Sequence, residues 1–208
     1  MPNAIPHLTL SLGQMAWALN YGIPPSKEML NQLRYLRLKG IPIAQEEGQG
    51  SGNRLTYDFD ALIETGVALF AMERGMKIKE IANYLVENRS RIRKEARRTF
   101  RNLPDKWLEE KWLKSQGREF VMRKDEIYLR VHDRHSQAAG TIEMIGMEDI
   151  TESGRNKLMF WDMVERLPDG GKRYLLPFTR LLQMWVYWAL QAPPTSPGPQ
   201  SGKRKALA

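Results

Sequence analysis

Ser26-Lys27-Glu28-Met29-Leu30-Asn31-Gln32-Leu33-Arg34-Tyr35-Leu36-Arg37-Leu38-Lys39-Gly40-Ile41-Pro42 is the stretch whose reading decides the fold. Leu30, Leu33 and Leu36 recur at helical spacing and give one narrow apolar stripe. The helix starts near Ser26, and Gly40 followed by Pro42 stops it. Lys27, Arg34, Arg37 and Lys39 make the rest of the helix basic. Such a helix lies on a surface and offers its polar side to a partner.

On the N-terminal side, Leu12, Met15, Ala16 and Leu19 predict a short helix over Ser11–Leu19, capped by Ser11. Asn20-Tyr21-Gly22 ends it, and Pro24-Pro25 keeps the connection extended. On the C-terminal side, residues 45–53 hold four Gly or Ser residues and no core former. With Ile41–Ala44 and Arg54–Tyr57 on either side, this predicts a β-hairpin with a flexible tip. A third helix follows, capped by Asp58 or Asp60, with Leu62, Ile63, Val67, Leu69, Phe70 and Met72 buried and Gly75 at its end. Lys77 to about Arg101 predicts a fourth, long helix. Ile78, Ile81, Ala82 and Leu85 share one face of its first part. Its second part carries Arg89, Arg91, Arg93, Lys94, Arg97, Arg98 and Arg101 against Glu95. Pro104 interrupts it, and a short helix is expected over 105–115.

Beyond Gly117 the pattern becomes alternation. Phe120 and Met122, then Ile127, Leu129 and Val131, predict a hairpin about Lys124-Asp125. Thr141–Ile145, Leu158–Val164 and Arg173–Leu176 are further strands, the last entered through an Asp169-Gly170-Gly171 turn. Pro177 opens a last helix that ends near Gln191 and is apolar on nearly all sides. Such a helix is buried in its own domain or across an oligomer interface, with a dimer interface favoured. The expected fold is α+β: an N-terminal winged helix-turn-helix head over 1–87, a basic helical connector over 88–117, a small mixed sheet-and-helix domain over 118–192 for dimerisation or effector binding, and a disordered tail over 193–208.

The formal charge of +8 and pI near 9.7 favour a polyanionic partner. The absence of cysteine removes disulfides, thiol catalysis and thiolate metal sites. No signal peptide or membrane span is expected, so the protein is placed in the cytoplasm, on the nucleoid when bound to DNA. His132, Asp133 and His135 lack a completing ligand and are read as a hairpin edge. Phe160, Trp161, Trp185, Tyr187 and Trp188 either line an effector pocket or form core, with core the commoner outcome. No catalytic set, cofactor or metal site is expected.

At Gln32-Leu33-Arg34-Tyr35, with Gly40-Ile41 following, the chain resembles the recognition-helix end of MerR-type regulators. Leu12-Gly13-Gln14-Met15-Ala16 is similar to that family's first helix. Arg54-Leu55-Thr56-Tyr57 with Asp60-Ala61-Leu62 is similar to its wing end and next helix start, and Gly75 through Ile81 fits its later turn. The resemblance covers about residues 8–87. It implies a winged helix-turn-helix whose second helix enters the major groove of double-stranded DNA. Ser26, Lys27, Asn31 and Gln32 are then base-reading candidates. Arg34, Tyr35, Arg37 and Lys39 contact the backbone, and Arg54 and Tyr57 grip a flanking phosphate or the minor groove. Next to such a head the basic helix gains a phosphate-contacting role, with Arg91 and Arg97 as candidates. Residues 1–60 balance five basic against five acidic side chains, so non-specific affinity from this head alone is weak.

The resulting expectation is a homodimeric, sequence-specific transcriptional regulator. The resemblance implies that it bends or untwists promoter DNA for RNA polymerase. An architectural, partition or replication-control protein of a mobile element is the alternative. An enzyme built on 118–192 and RNA binding by the Arg-rich helix are weaker readings.

Overall fold

Ser11, Ser26 and Asp58 start three helices by one chemistry: a side-chain oxygen accepts a backbone N–H that the first turn leaves without a partner. Ser11 Oγ accepts from Gln14 at 3.2 Å while the Gln14 side chain accepts from Ser11 N at 2.9 Å. Ser26 Oγ accepts from Met29 N at 3.1 Å and Asp58 Oδ1 from Ala61 N at 2.8 Å. These caps begin α1 (Leu12–Leu19), α2 (Lys27–Leu38) and α3 (Phe59–Glu73). The fourth helix, α4 (Ile78–Arg101), begins where Glu80 accepts from Lys77 N. The computed structural model describes residues 3–42, 45–47, 54–103, 127–132, 142–146, 163–166 and 170–194.

Between α2 and α3 stand β1 (Gln45–Glu47) and β2 (Arg54–Thr56), paired antiparallel with Gln45 opposite Thr56. The sequence places the first strand at Ile41–Ala44, four residues early. Gly40 takes φ +78°, and Ile41 N donates back to Leu36 O at 3.1 Å. Ile41 is therefore consumed in closing α2 and is fully buried. The chain's N-terminal residues also serve this half of the molecule. Leu10 and Tyr57 exchange both backbone hydrogen bonds at 2.9 Å. Asn3 donates to the carbonyls of Arg101 and Leu103, satisfying acceptors left open at the end of α4.

The second sheet contains β3 (Ile127–His132), β4 (Ile142–Gly146), β5 (Met163–Arg166) and β6 (Lys172–Pro177) in the order β4-β3-β6-β5, antiparallel throughout. The fold is thus α+β, with mixed helix and antiparallel sheet. β3 pairs with β4 on one side and β6 on the other along nearly its whole length. The hairpin partners expected at Phe120 and Met122, and the helix expected over 105–115, lie outside the described residues.

β6 runs at Pro177 straight into α5 (Phe178–Leu190). The sequence expects this helix in a separate domain or across a dimer interface. The structure instead packs it against α1, α3, α4 and β3, and its apolar residues join those of the N-terminal helices in one core. Two close approaches fix it. The Trp185 ring, wholly buried, lies over Gly66 of α3, where a Cβ would fall 2.6 Å from it. Trp188 lies over Gly22, at φ +79° in the α1–α2 turn, where a Cβ would fall 2.5 Å from the ring. Trp188 also meets Trp17 edge to face, with centroids 5.3 Å apart. The boundary expected between residues 87 and 88 falls inside the unbroken α4.

Replacing a helical glycine by alanine ordinarily stabilises a helix by about 0.5–1 kcal/mol. At Gly66 the immobile indole reverses the sign. Gly66→Ala is expected to cost about 1–3 kcal/mol net in urea unfolding. A midpoint unchanged or raised would show that the Trp185 ring has room to move.

Candidate nucleic-acid interface

Leu33 and Leu36 of α2 are fully buried and Met29 and Leu30 pack partly buried beside them, so one narrow stripe seats the helix and its opposite side faces outward. Lys27, Asn31, Arg34 and Tyr35 are exposed, and Gln32 and Arg37 are half-buried. The Ser26 hydroxyl is exposed yet already accepts from Met29 N, so its first role is capping. Arg34 Nη1 donates to Asn31 Oδ1 at 3.0 Å, which orders both polar groups one turn apart. Lys39, just past the helix, holds its ammonium 5.5 Å from the Tyr35 ring centroid. The outward side of α2 thus joins Lys27, Asn31, Arg34, Tyr35 and Lys39 in one strip of donors.

The hairpin gives a divided result. Arg54 stands at the start of β2, opposite Glu47; its side chain lies outside the described residues. Tyr57 does not face outward. It is 1% exposed, its backbone is tied to Leu10, and its hydroxyl finds no hydrogen-bond partner among the described residues. The phosphate-gripping role expected for Tyr57 is corrected on that ground: its ring is part of the core.

The basic run on α4 is not one surface but two. Arg89, Arg93 and Arg97 repeat every four residues and turn toward α3. There they meet Asp60 and Glu64, themselves four apart. Glu64 has no solvent exposure and accepts from Arg89 Nε at 3.0 Å and from Arg93 Nε at 2.6 Å. Asp60, 4% exposed, takes Arg97 by both oxygens, at 3.0 and 2.6 Å. That hydrogen bond raises the Arg97 pKa, against a smaller opposing effect of burial. The phosphate role expected for Arg97 is therefore revised. Its guanidinium is committed to Asp60, although half of the side chain remains exposed. Arg89 reaches further, donating from Nη2 to the Gly40 carbonyl at 2.7 Å and so holding the end of α2.

Comparison with protein-family models, with curated proteins and with solved structures gives no match to this chain.

Arg91, Lys94, Arg98 and Arg101 occupy the other side of α4 and are exposed. Among the described residues, Arg98 of this stripe pairs with an acid, Glu95 at 2.7 Å. At 1.5 Å per residue this outer stripe is roughly 15 Å long, comparable with several phosphate spacings. The carboxylates of Asp60 and Glu64 were missed as site residues in the sequence. Their matching four-residue spacing with Arg89, Arg93 and Arg97 is the signal that finds them. Elsewhere, His132 is buried, with Nε2 3.9 Å from Glu143 Oε2; Asp133, His135, Phe160 and Trp161 lie outside the described residues. No helix among the described residues is long and apolar enough to cross a membrane.

Removing one partner of a buried ion pair strands the other. Arg89→Ala and Arg93→Ala are each expected to lower the unfolding free energy by about 1–3 kcal/mol, read by urea denaturation. Arg91→Ala and Lys94→Ala should stay within about 0.5 kcal/mol. Equal losses in both sets would erase the division of α4 into a structural and a free stripe.

Proposed function

We propose that this chain is a sequence-specific double-stranded DNA-binding protein, a transcriptional regulator acting as a homodimer through a MerR-like winged helix-turn-helix. In this reading α1 and α2 form the helix-turn-helix, α2 is the recognition helix, and β1–β2 is the wing. The observation that carries it is the build of α2. It is seated by one narrow stripe, held at its end by Arg89, and exposes Lys27, Asn31, Arg34, Tyr35 and Lys39 together. A helix held this firmly on so narrow a seat, with donors outward, suits insertion into the major groove. There, Lys27 and Asn31 read base edges, and Arg34, Tyr35, Arg37 and Lys39 hold phosphates. Arg54 extends the grip from the wing. Arg91, with the rest of the outer stripe of α4, adds charge that the head itself lacks. A dimer places two recognition helices on two half-sites, and RNA polymerase is then the downstream partner of a regulator of this kind.

Selection of bound fragments from a random duplex pool at moderate salt tests the reading. The expected product is an enriched inverted repeat. Retention without an enriched motif would instead favour an architectural or partition role, and no retention would reject DNA as the partner. On the selected site, Arg34→Ala should weaken binding to all duplexes and reduce the salt dependence by about one unit of slope. Asn31→Ala should change base preference by about 1–3 kcal/mol at one position. An Arg34→Ala protein with unchanged affinity and slope would remove α2 from the interface.

A further inference from the structure

Behind α2 lies a cavity of about 450 Å3, bounded by the α1–α2 turn, α2, α3 and α5. Trp185 stands at its base beside Gly66, with Tyr21, Met29 and Phe70 among its apolar walls. Glu28 from α2 and Glu73 from α3 supply carboxylates. In a chain of net charge +8, no Lys or Arg among the described residues lines this space. Its size is within the range of small-molecule sites.

Further observations define its polar side. The Trp185 indole N–H, on a residue with no solvent exposure, has no close acceptor among the described residues beyond a loose approach to the Tyr21 hydroxyl. Tyr21 itself closes α1: at φ 55° it takes the left-handed conformation of a helix end, with Gly22 N donating back to Trp17 O at 3.0 Å. Burial first, and then the Glu73 charge, push its hydroxyl pKa up, with Trp185 acting in the opposite direction. At the cavity's rim the same chemistry already holds a cation of this chain. Arg74 pairs with Glu73 at 2.7 Å and lies 5.0 Å from the Phe70 ring centroid. Glu28 has no such partner among the described residues.

We infer that this cavity binds a compact organic cation, a quaternary or protonated amine carrying an apolar group. The aromatic rings take the cation's face and apolar group, and Glu28 and Glu73 supply the charge. A metal ion would leave the apolar walls unused, and an organic anion would meet two carboxylates. Four lining residues, Ser26, Glu28, Met29 and Gln32, belong to the start of α2 or its cap. An occupant therefore touches the helix proposed to read DNA. That regulatory consequence rests on the function proposed above, whereas binding itself does not.

Calorimetric titration of the full chain, without DNA, separates the two. The probes are benzyltrimethylammonium, its uncharged neopentylbenzene isostere, and benzoate. Saturable binding of the cation is expected with Kd on the order of 1 mM, with neither control binding measurably. Glu28→Gln, an exposed change that spares the core, should weaken the cation about fivefold. Glu28→Lys should abolish binding while circular dichroism keeps the folded signature and thermal unfolding falls by a few degrees at most, because Glu28 is the acidic residue in the first turn of α2. Equal binding of the neutral isostere, no saturation by the cation at ten times that concentration, or indifference to both Glu28 variants would overturn the proposal. Cation binding intact in a protein that retains no DNA would refute the DNA reading and leave this site standing.

Discussion

Glu64 is a carboxylate with no access to water. A charge so placed must be paired or neutralised, because its burial alone costs several kcal/mol. Its cations, Arg89 and Arg93, come from one helix turn of α4 and approach from a single side. This sets the rotation of α4 against α3. Asp60 repeats the arrangement one turn earlier on α3 with Arg97, so register as well as rotation is fixed. Arg89 then carries the constraint out of the helix pair, since its other nitrogen holds the Gly40 carbonyl at the end of α2. The position of the surface helix thus follows from a buried charge on a different element.

The same economy explains why α4 is so basic without being a uniform charged rod. The residues spent on Asp60 and Glu64 share one flank, and those left over share the opposite one. Hydrophobic residues Ile81, Leu85, Ile92, Ala96 and Phe100 lie on the core side of the helix. Mutual repulsion among closely spaced arginines is relieved on the inner flank by the carboxylates. On the outer flank it is relieved, among the described residues, by solvent and by Glu87 and Glu95 of the same helix, which leaves the outer stripe and not the inner one open to phosphates.

Much of this was legible in the sequence. The cap at Ser11, the helix start near Ser26, the choice of Asp58 or Asp60 as the next cap, the stripe on α2, and the long α4 all follow from local chemistry that does not depend on distant residues. What failed has non-local causes. Tyr57 reads as a wing residue because its strand position is right, but its exposure depends on Leu10, far away in sequence, taking the adjacent ladder position. Alternation marks β3 as a strand but does not say which strands flank it; β4 and β6 come from further along the chain. The helix 178–190 is correctly apolar on nearly all sides, yet nothing in that pattern names what covers it. The covering surfaces are Gly22 and Gly66, and a glycine leaves no periodic signal.

Those two glycines make the C-terminal helix part of the N-terminal architecture. Trp188 bears on the turn that sets the angle between α1 and α2, and Trp185 bears on the helix beneath them. Loss of a buried aromatic ring costs about 3–5 kcal/mol, a large share of the stability of an ordinary domain. A residue near the end of the chain therefore has leverage on the turn near its beginning. Cavities persist in close-packed proteins only where shape prevents collapse. Here the space behind α2 is lined by the indole packed on Gly66 and by the left-handed Tyr21. The packing that joins the two ends of the chain thus also borders that space.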